Sequence, residues 1–249
     1  MNKLSKLAFM AVGILLSTLI FQSCLDDNDN DLAIYYPNAL VTVKHAPDST
    51  FYLQLDAETT LLPKNLDKSP FGKKEVRALV NFSEVNGESR NYTKAVNINW
   101  IDSILTKPTV PYSLDVDNDN KYGSDPVEIV NDWVTIAEDS YLTLRFRTRW
   151  GYNHKPHFVN LMTGVNEDNP YEVEFRHNAY GDIDGRTGDA LVAFSLKDLP
   201  DTNGETVKLK LTWTSFSGKK STEFDYRTNA ETKGSLVLKN ENNFIHSIK

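Results

Sequence analysis

From residue 40 onward, apolar and polar positions alternate with a period of two along almost the whole chain, the spacing of half-buried strands. Leu40 to Lys44 alternates with β-branched residues, and Phe51, Leu53 and Leu55 share a face before Asp56-Ala57-Glu58-Thr59 turns the chain, which predicts a hairpin. Val76, Ala78, Val80 and Phe82 alternate with Arg77, Asn81 and Ser83 up to the turn signal Asn86-Gly87. Beyond it Val96, Ile98 and Trp100 fall on one predicted face. Short strands at this density favour a small closed barrel over an open sheet, because closure removes exposed edges. Thr106-Lys107-Pro108-Thr109-Val110-Pro111 and Asp115-Val116-Asp117-Asn118-Asp119-Asn120 lose the alternation and carry two prolines, so a domain boundary is expected there. Strands resume over 127–129, 142–146, 158–162, 171–177, 191–196, 207–213 and 223–226, joined by turns rich in Gly, Asn and Asp. That spacing predicts a two-sheet sandwich. One turn of helix is expected around 195–199, and the polar tail is expected to fray, with an edge strand at 235–238 as the alternative.

The start of the chain reads differently. Lys3 and Lys6 precede an uncharged apolar run from Leu7 to Phe21, the layout of a secretory leader and too short for a membrane-spanning helix. The leader ends in Phe21-Gln22-Ser23-Cys24, a loose bacterial lipobox, so cleavage before Cys24 and acylation of its sulfur are expected. Two or three acyl chains, at about 0.8 kcal/mol per buried methylene, would hold the protein to a bilayer almost permanently. Cys24 is the sole cysteine, so no disulfide framework can form within the chain. Asp26, Asp27, Asp29 and Asp31 then form an acidic run with no basic neighbour, expected to be an extended, solvated tether. The run resembles the surface-export signal of Bacteroidetes lipoproteins, and also reads as a plain spacer. The expected location is therefore the outer membrane, at the cell surface, with the periplasmic face as the alternative.

Loss of residues 1–23 leaves 25 basic against 34 acidic residues. An acidic surface of this kind makes nucleic acid an unfavourable partner. The domain organisation expected is a leader at 1–23, a tether at 24–34, a barrel at 35–107, a linker at 108–125, a sandwich at 126–227 and a C-terminal extension at 228–249.

Three stretches carry a family resemblance: Ile101-Asp102-Ser103-Ile104-Leu105-Thr106-Lys107, Gly123-Ser124-Asp125-Pro126-Val127, and Glu174-Phe175-Arg176-His177-Asn178-Ala179-Tyr180-Gly181-Asp182 followed by Leu191-Val192-Ala193-Phe194-Ser195-Leu196. With these the chain resembles the NigD-like lipoproteins of Bacteroidetes. The resemblance implies an all-β fold class, an N-terminal OB-like small barrel followed by a C-terminal immunoglobulin-like β-sandwich. It supplies no catalytic residues, and the family's name points to a bacteriocin-associated locus.

Candidate chemistry is sparse. There is no Gly-x-Ser-x-Gly elbow, and Gly218-Lys219-Lys220-Ser221 lacks the upstream glycine of a phosphate-binding loop. His154 and His157, with His177, offer imidazoles for zinc but no further ligand at a recognisable spacing. Asp115-x-Asp117-x-Asp119 begins like a calcium loop, yet Asn120 replaces its glycine and Pro126 its closing glutamate. Asp182-x-Asp184-Gly185 with Asp189 is a second such loop; both also read as a solvated linker or a hairpin turn. No metal and no cofactor is expected.

Arg145, Arg147 and Arg149 alternate with Leu144, Phe146 and Thr148, which sends three guanidinium groups to one outer face. This is the candidate binding surface for an anionic glycan, lipopolysaccharide or an acidic partner; the competing reading pairs it with Glu172 and Glu174. His177 shares the face of Phe175 and reads as a hydrogen-bonded structural residue, and Arg176 as one half of a cross-strand charge pair. Trp150, Tyr152, Tyr35 and Tyr36 are candidate sugar platforms. The function expected is non-enzymatic: an envelope lipoprotein bound to the membrane by its lipid anchor, serving as a binding or accessory module for an unknown envelope protein or glycan. The alternatives are surface glycan capture beside a nutrient-uptake system and an immunity-like role.

Overall fold

The computed structural model describes residues 33–152 and 155–228. The leader, Cys24, the aspartates at 26, 27, 29 and 31, His154, and the tail with its candidate edge strand at 235–238 lie outside the described residues. Among the described residues no helix is long and apolar enough to cross a membrane.

Five strands close the N-terminal barrel: β1 (Ala39–His45), β2 (Phe51–Gln54), β3 (Thr60–Pro63), β4 (Val76–Glu84) and β5 (Lys94–Ser103), in the order β1-β2-β3-β5-β4. All neighbours are antiparallel except β3 and β5. The alternation read from the sequence puts Val41, Val43, Leu53, Val80 and Val96 inside. One expectation fails. Val96 and Ile98 face the barrel core, but Trp100 does not. Phe82 pairs with Ile98 while Asn81 pairs with Trp100, so Asn99 is an extra residue, a β-bulge that reverses the facing of everything after it. Ile101 consequently packs on the core, and Trp100 packs on an outer cluster with Leu40, Leu79, Ile104, Val134 and Ala193.

The sandwich begins earlier than expected. β6 (Leu105–Pro108) adds parallel to β13 (Arg186–Ser195), and β7 (Val110–Pro111) adds parallel to β11 (Phe158–Thr163). The stretch read as a linker at 108–125 therefore holds the end of one sandwich strand, the whole of another, and a short helix, α1 (Asn118–Tyr122). Its prolines misled the reading because both strands are sheet edges, where a missing backbone N–H costs no ladder bond. The expected helical turn at 195–199 is only a hydrogen-bonded turn, Leu199 N to Leu196 O at 3.0 Å.

The remaining strands are β8 (Glu128–Ile129), β9 (Ile136–Glu138), β10 (Tyr141–Trp150), β12 (Glu172–Asn178), β14 (Val207–Ser215) and β15 (Gly218–Tyr226). One sheet runs β6-β13-β10-β8, with β9 also on β10; the other runs β15-β14-β12-β11-β7. Their facing sides share a core around Leu142, Leu144, Phe146, Phe175, Phe194 and Leu211. Phe146 and Phe175 meet across it with ring centres 5.2 Å apart.

The far side of the first sheet is not open to solvent throughout, because the barrel covers part of it. At the centre of that seam is Arg77, fully buried, donating to Thr42 Oγ1 (2.9 Å) and Thr143 Oγ1 (3.3 Å) and ion-paired with Glu138. Lys44 pairs with Asp139 at 2.5 Å, and Tyr141 donates to Glu75 at 2.7 Å. A buried guanidinium with this many partners fixes the barrel on the sandwich in one register, since any slip would strand a desolvated charge.

Candidate functional site

Besides the seam, one end of the sandwich and the mouth of the barrel gather polar groups. At the sandwich end, strand alternation on β12 points His177 inward behind Phe175, and His157 enters just ahead of β11. His177 is 1% exposed and His157 fully buried. His177 Nε2 stands 2.9 Å from His157 Nδ1, His177 Nδ1 faces Asp125 O at 3.3 Å, and His157 Nε2 faces Asp182 O at 3.1 Å. The His157 ring stacks on Trp150, centres 4.2 Å apart. Burial, reinforced by the neighbouring His157, lowers the pKa of His177 to about 4; burial also lowers that of His157. The reading of His177 as a hydrogen-bonded core residue agrees with this geometry, and the partner imidazole is what the sequence did not disclose.

The arginine stripe is divided. Arg145 is 6% exposed, ion-paired with Asp132 at 2.5 Å and Asp189 at 2.7 Å. Arg147 takes the other oxygen of Asp189 at 2.6 Å. Arg147 and Arg149 both reach the surface, but Arg147 is neutralised by Asp189, and the Arg149 guanidinium lies 5.8 Å from the ring centre of Phe216. The three do not form an exposed cationic surface. The partners also differ from those expected. Glu172 and Glu174 lie on the opposite sheet, where Glu172 meets Lys210 at 3.2 Å and Glu174 meets Arg176 at 3.2 Å. Asp189 is directly opposite Arg147 across β10 and β13, a register that residue spacing alone cannot reveal. Arg176 pairs mainly outside its sheet, with Asp119 of α1.

Two carboxylates of each calcium-like loop are engaged within the chain. Asp117 caps α1, accepting from Asn120 N at 3.1 Å, and Asp119 is held by Arg176. Asp182 is buried beside His157, and Asp189 is held by two arginines. Among the described residues no three His, Cys, Asp or Glu gather where they could hold a metal ion. Of the candidate sugar platforms, Trp150 is buried with its indole N–H on Gly188 O at 3.0 Å, whereas Tyr35 and Tyr152 are exposed.

The barrel mouth is a cleft of about 270 Å³ that the sequence reading missed. The loop 46–50 between β1 and β2, the start of the β3–β4 connection and the β4–β5 loop meet there. Asp48, Lys64, Asp67 and Arg90 rim it over a floor that includes Phe51 and Leu62. The residues contributing to it are spread over more than forty positions, none in a recognisable motif.

A family model described as the NigD-like N-terminal OB domain matches residues 40–104, and one described as the NigD-like C-terminal β-sandwich domain matches residues 108–226. The chain belongs to the NigD-like family. A solved structure described as a toxin-related protein from Parabacteroides distasonis is 36% identical, with a TM-score of 0.64, covering 76% of this chain and 92% of that one. A protein of unknown function from Bacteroides vulgatus is 24% identical, with a TM-score of 0.62, over 79% of this chain and 94% of its own. A NigD-like immunity protein from Bacteroides caccae shares the fold at 18% identity and a TM-score of 0.55, over 76% and 96%. No curated protein matches the chain.

Two of the stretches that carried the NigD-like resemblance, 123–127 and 174–182, meet in space. Asp125 N donates to His177 O at 2.9 Å, and Asp125 Oδ2 accepts from Ala179 N at 2.7 Å. Gly123 has φ +78°, and a Cβ there would lie 2.4 Å from His177 O. The second and third of these NigD-like stretches thus interlock around the imidazole pair, while Leu105–Lys107 of the first pairs with Val192–Phe194 in the other sheet.

Proposed function

We propose that this NigD-like chain is a non-enzymatic lipoprotein of the outer membrane, displayed at the cell surface on acylated Cys24 and the acidic run Asp26, Asp27, Asp29 and Asp31, and that it acts as a binding or accessory module. The observation that carries the binding reading is how the ionisable groups are distributed. Five groups with displaced pKa values in the sandwich and the seam, His157, His177, Glu138, Tyr141 and Asp189, are buried and held by internal partners. A catalytic group needs access to its substrate, so such groups serve packing. At the barrel mouth Asp48, Lys64, Asp67 and Arg90 line an open cleft, an arrangement suited to recognition.

A protein partner is the second reading, favoured by the descriptions of two similar structures as a toxin-related protein and an immunity protein. The deciding experiment is cross-linking on intact cells followed by recovery of the full chain. A stoichiometric envelope protein or glycan is expected, and a chain recovered alone would remove the binding reading. Cys24→Ala is expected to release the protein from membranes; continued membrane association would exclude the anchor. Replacement of the four aspartates by alanine is expected to reduce shaving by external protease, and unchanged shaving would exclude the export role.

A further inference from the structure

We propose that the cleft at the barrel mouth is a binding site for a neutral saccharide. The inference rests on the reading of the chain as a binding module. OB-type barrels present the ends of β2 and β3, together with the β1–β2 and β4–β5 loops, as a ligand platform. In this barrel those same parts enclose the cleft, through Asp48 and Thr50 on the first loop, Leu62 and Lys64 at the end of β3, and Arg90 on the β4–β5 loop.

Three features define the ligand. The first is charge. Asp48 and Asp67 oppose Lys64 and Arg90, so the rim has no net charge and offers both acceptors and donors. A polyanion would meet two carboxylates and a polycation two positive groups, whereas a sugar hydroxyl both donates and accepts and can use each of them. Thr50 N holds Asp48 at 2.9 Å and keeps its carboxyl below the usual range, so it stays an acceptor. Lys64 reaches only the backbone of Glu88, at 3.3 Å. Neither Asp67 nor Arg90 has a hydrogen-bond or ion-pair partner among the described residues.

The second feature is the apolar part. Phe51, Leu62 and Leu66 are the apolar lining of the cleft. Aromatic and aliphatic surface of this kind receives the C–H face of a pyranose while the charged rim takes its hydroxyls. The third is shape. Ser49 and Arg90 hold φ of +69° and +53°, conformations unfavourable for side-chain-bearing residues, and both line this one cleft. At about 270 Å³ the space is just below the ~300–1,000 Å³ of drug-sized pockets, enough for a terminal sugar ring.

The test is calorimetric titration of the full chain, purified in detergent, with gluco-, manno- and xylo-hexaoses, an oligogalacturonate and inorganic sulfate. Saturable binding of a neutral hexaose is expected, weakened about tenfold or more by Arg90→Ala or Asp67→Ala, the loss of a hydrogen bond to a charged group. Neither side chain makes a hydrogen bond or ion pair among the described residues, so unchanged melting temperatures in these variants verify the fold. Binding of only the oligogalacturonate or sulfate, neutral-sugar binding that the variants leave intact, or no binding of any hexaose would each overturn the proposal. The wider reading is judged separately: a protein recovered by cross-linking alongside silent titrations leaves the module standing and removes only this site.

Discussion

His157 Nδ1 and His177 Nε2 approach to 2.9 Å, and the outer nitrogen of each ring faces a backbone carbonyl. Three contacts need three hydrogens, yet two neutral imidazoles supply two. The contact left without one is the longest, His177 Nδ1 to Asp125 O at 3.3 Å. His157 Nε2 then donates to Asp182 O, and His177 Nε2 donates to His157 Nδ1. A third proton would complete the chain, but burial opposes it, with Asp125 and Asp182 on the favouring side.

A pH dependence follows. The folded pKa of His177 is lowered to about 4 from 6.5, so as pH falls through this interval the unfolded chain takes up a proton that the folded chain refuses. Stability is fully present above pH 6.5 and declines until about pH 4, by roughly 3 kcal/mol from this residue. In a His177→Gln variant that component vanishes. Urea unfolding across the interval is expected to show the gap between wild type and variant narrowing as pH drops, and a constant gap would exclude the neutral pair.

Arg77→Ala leaves Glu138 buried without its countercharge, at a cost of roughly 3–5 kcal/mol in equilibrium unfolding. Burial already raises the Glu138 pKa, and the charge of Arg77 is the main force lowering it. In the variant the carboxyl is raised further, so the protonated folded form is favoured and the deficit grows as pH increases from acid to neutral. Arg77→Met combined with Glu138→Leu is expected to recover most of the loss.

The divided arginine stripe makes a sharper test than any single substitution. Arg145→Ala leaves Asp132 without its guanidinium and Asp189 with Arg147 alone, and is expected to cost roughly 1–3 kcal/mol. Arg149→Ala removes an exposed side chain and is expected to change stability by no more than about 0.5 kcal/mol. Equal losses would restore the stripe as one functional unit.

Gly123 and Gly181 share φ of +78°, but only the first is confined. Gly181→Ala is expected to cost roughly 1–2 kcal/mol for the left-handed backbone. Gly123→Ala adds overlap with His177 O and is expected to cost roughly 1–3 kcal/mol more. Chemical denaturation of the two variants decides this.

Alternation alone located most strands, because a strand buried on one face must repeat its apolar positions every second residue whatever lies opposite. It failed at Trp100, where one inserted residue at Asn99 reverses the facing, and at Pro108 and Pro111, whose tolerance depends on being at sheet edges. It placed His177 in the core but could not name His157 as its partner, since the two meet only through the antiparallel pairing of β11 and β12.

The order of apolar and polar residues by itself determined that this chain is two successive β-domains with their cores in the right strands, for burial on one face is a local demand that each strand states for itself. Which charges neutralise one another, where Arg145 finds Asp132 and Asp189, and which loops meet over the barrel mouth were decided by the tertiary structure alone. Those are relations between residues brought together by strand register and domain packing, and no single stretch of the chain contains both sides of any of them.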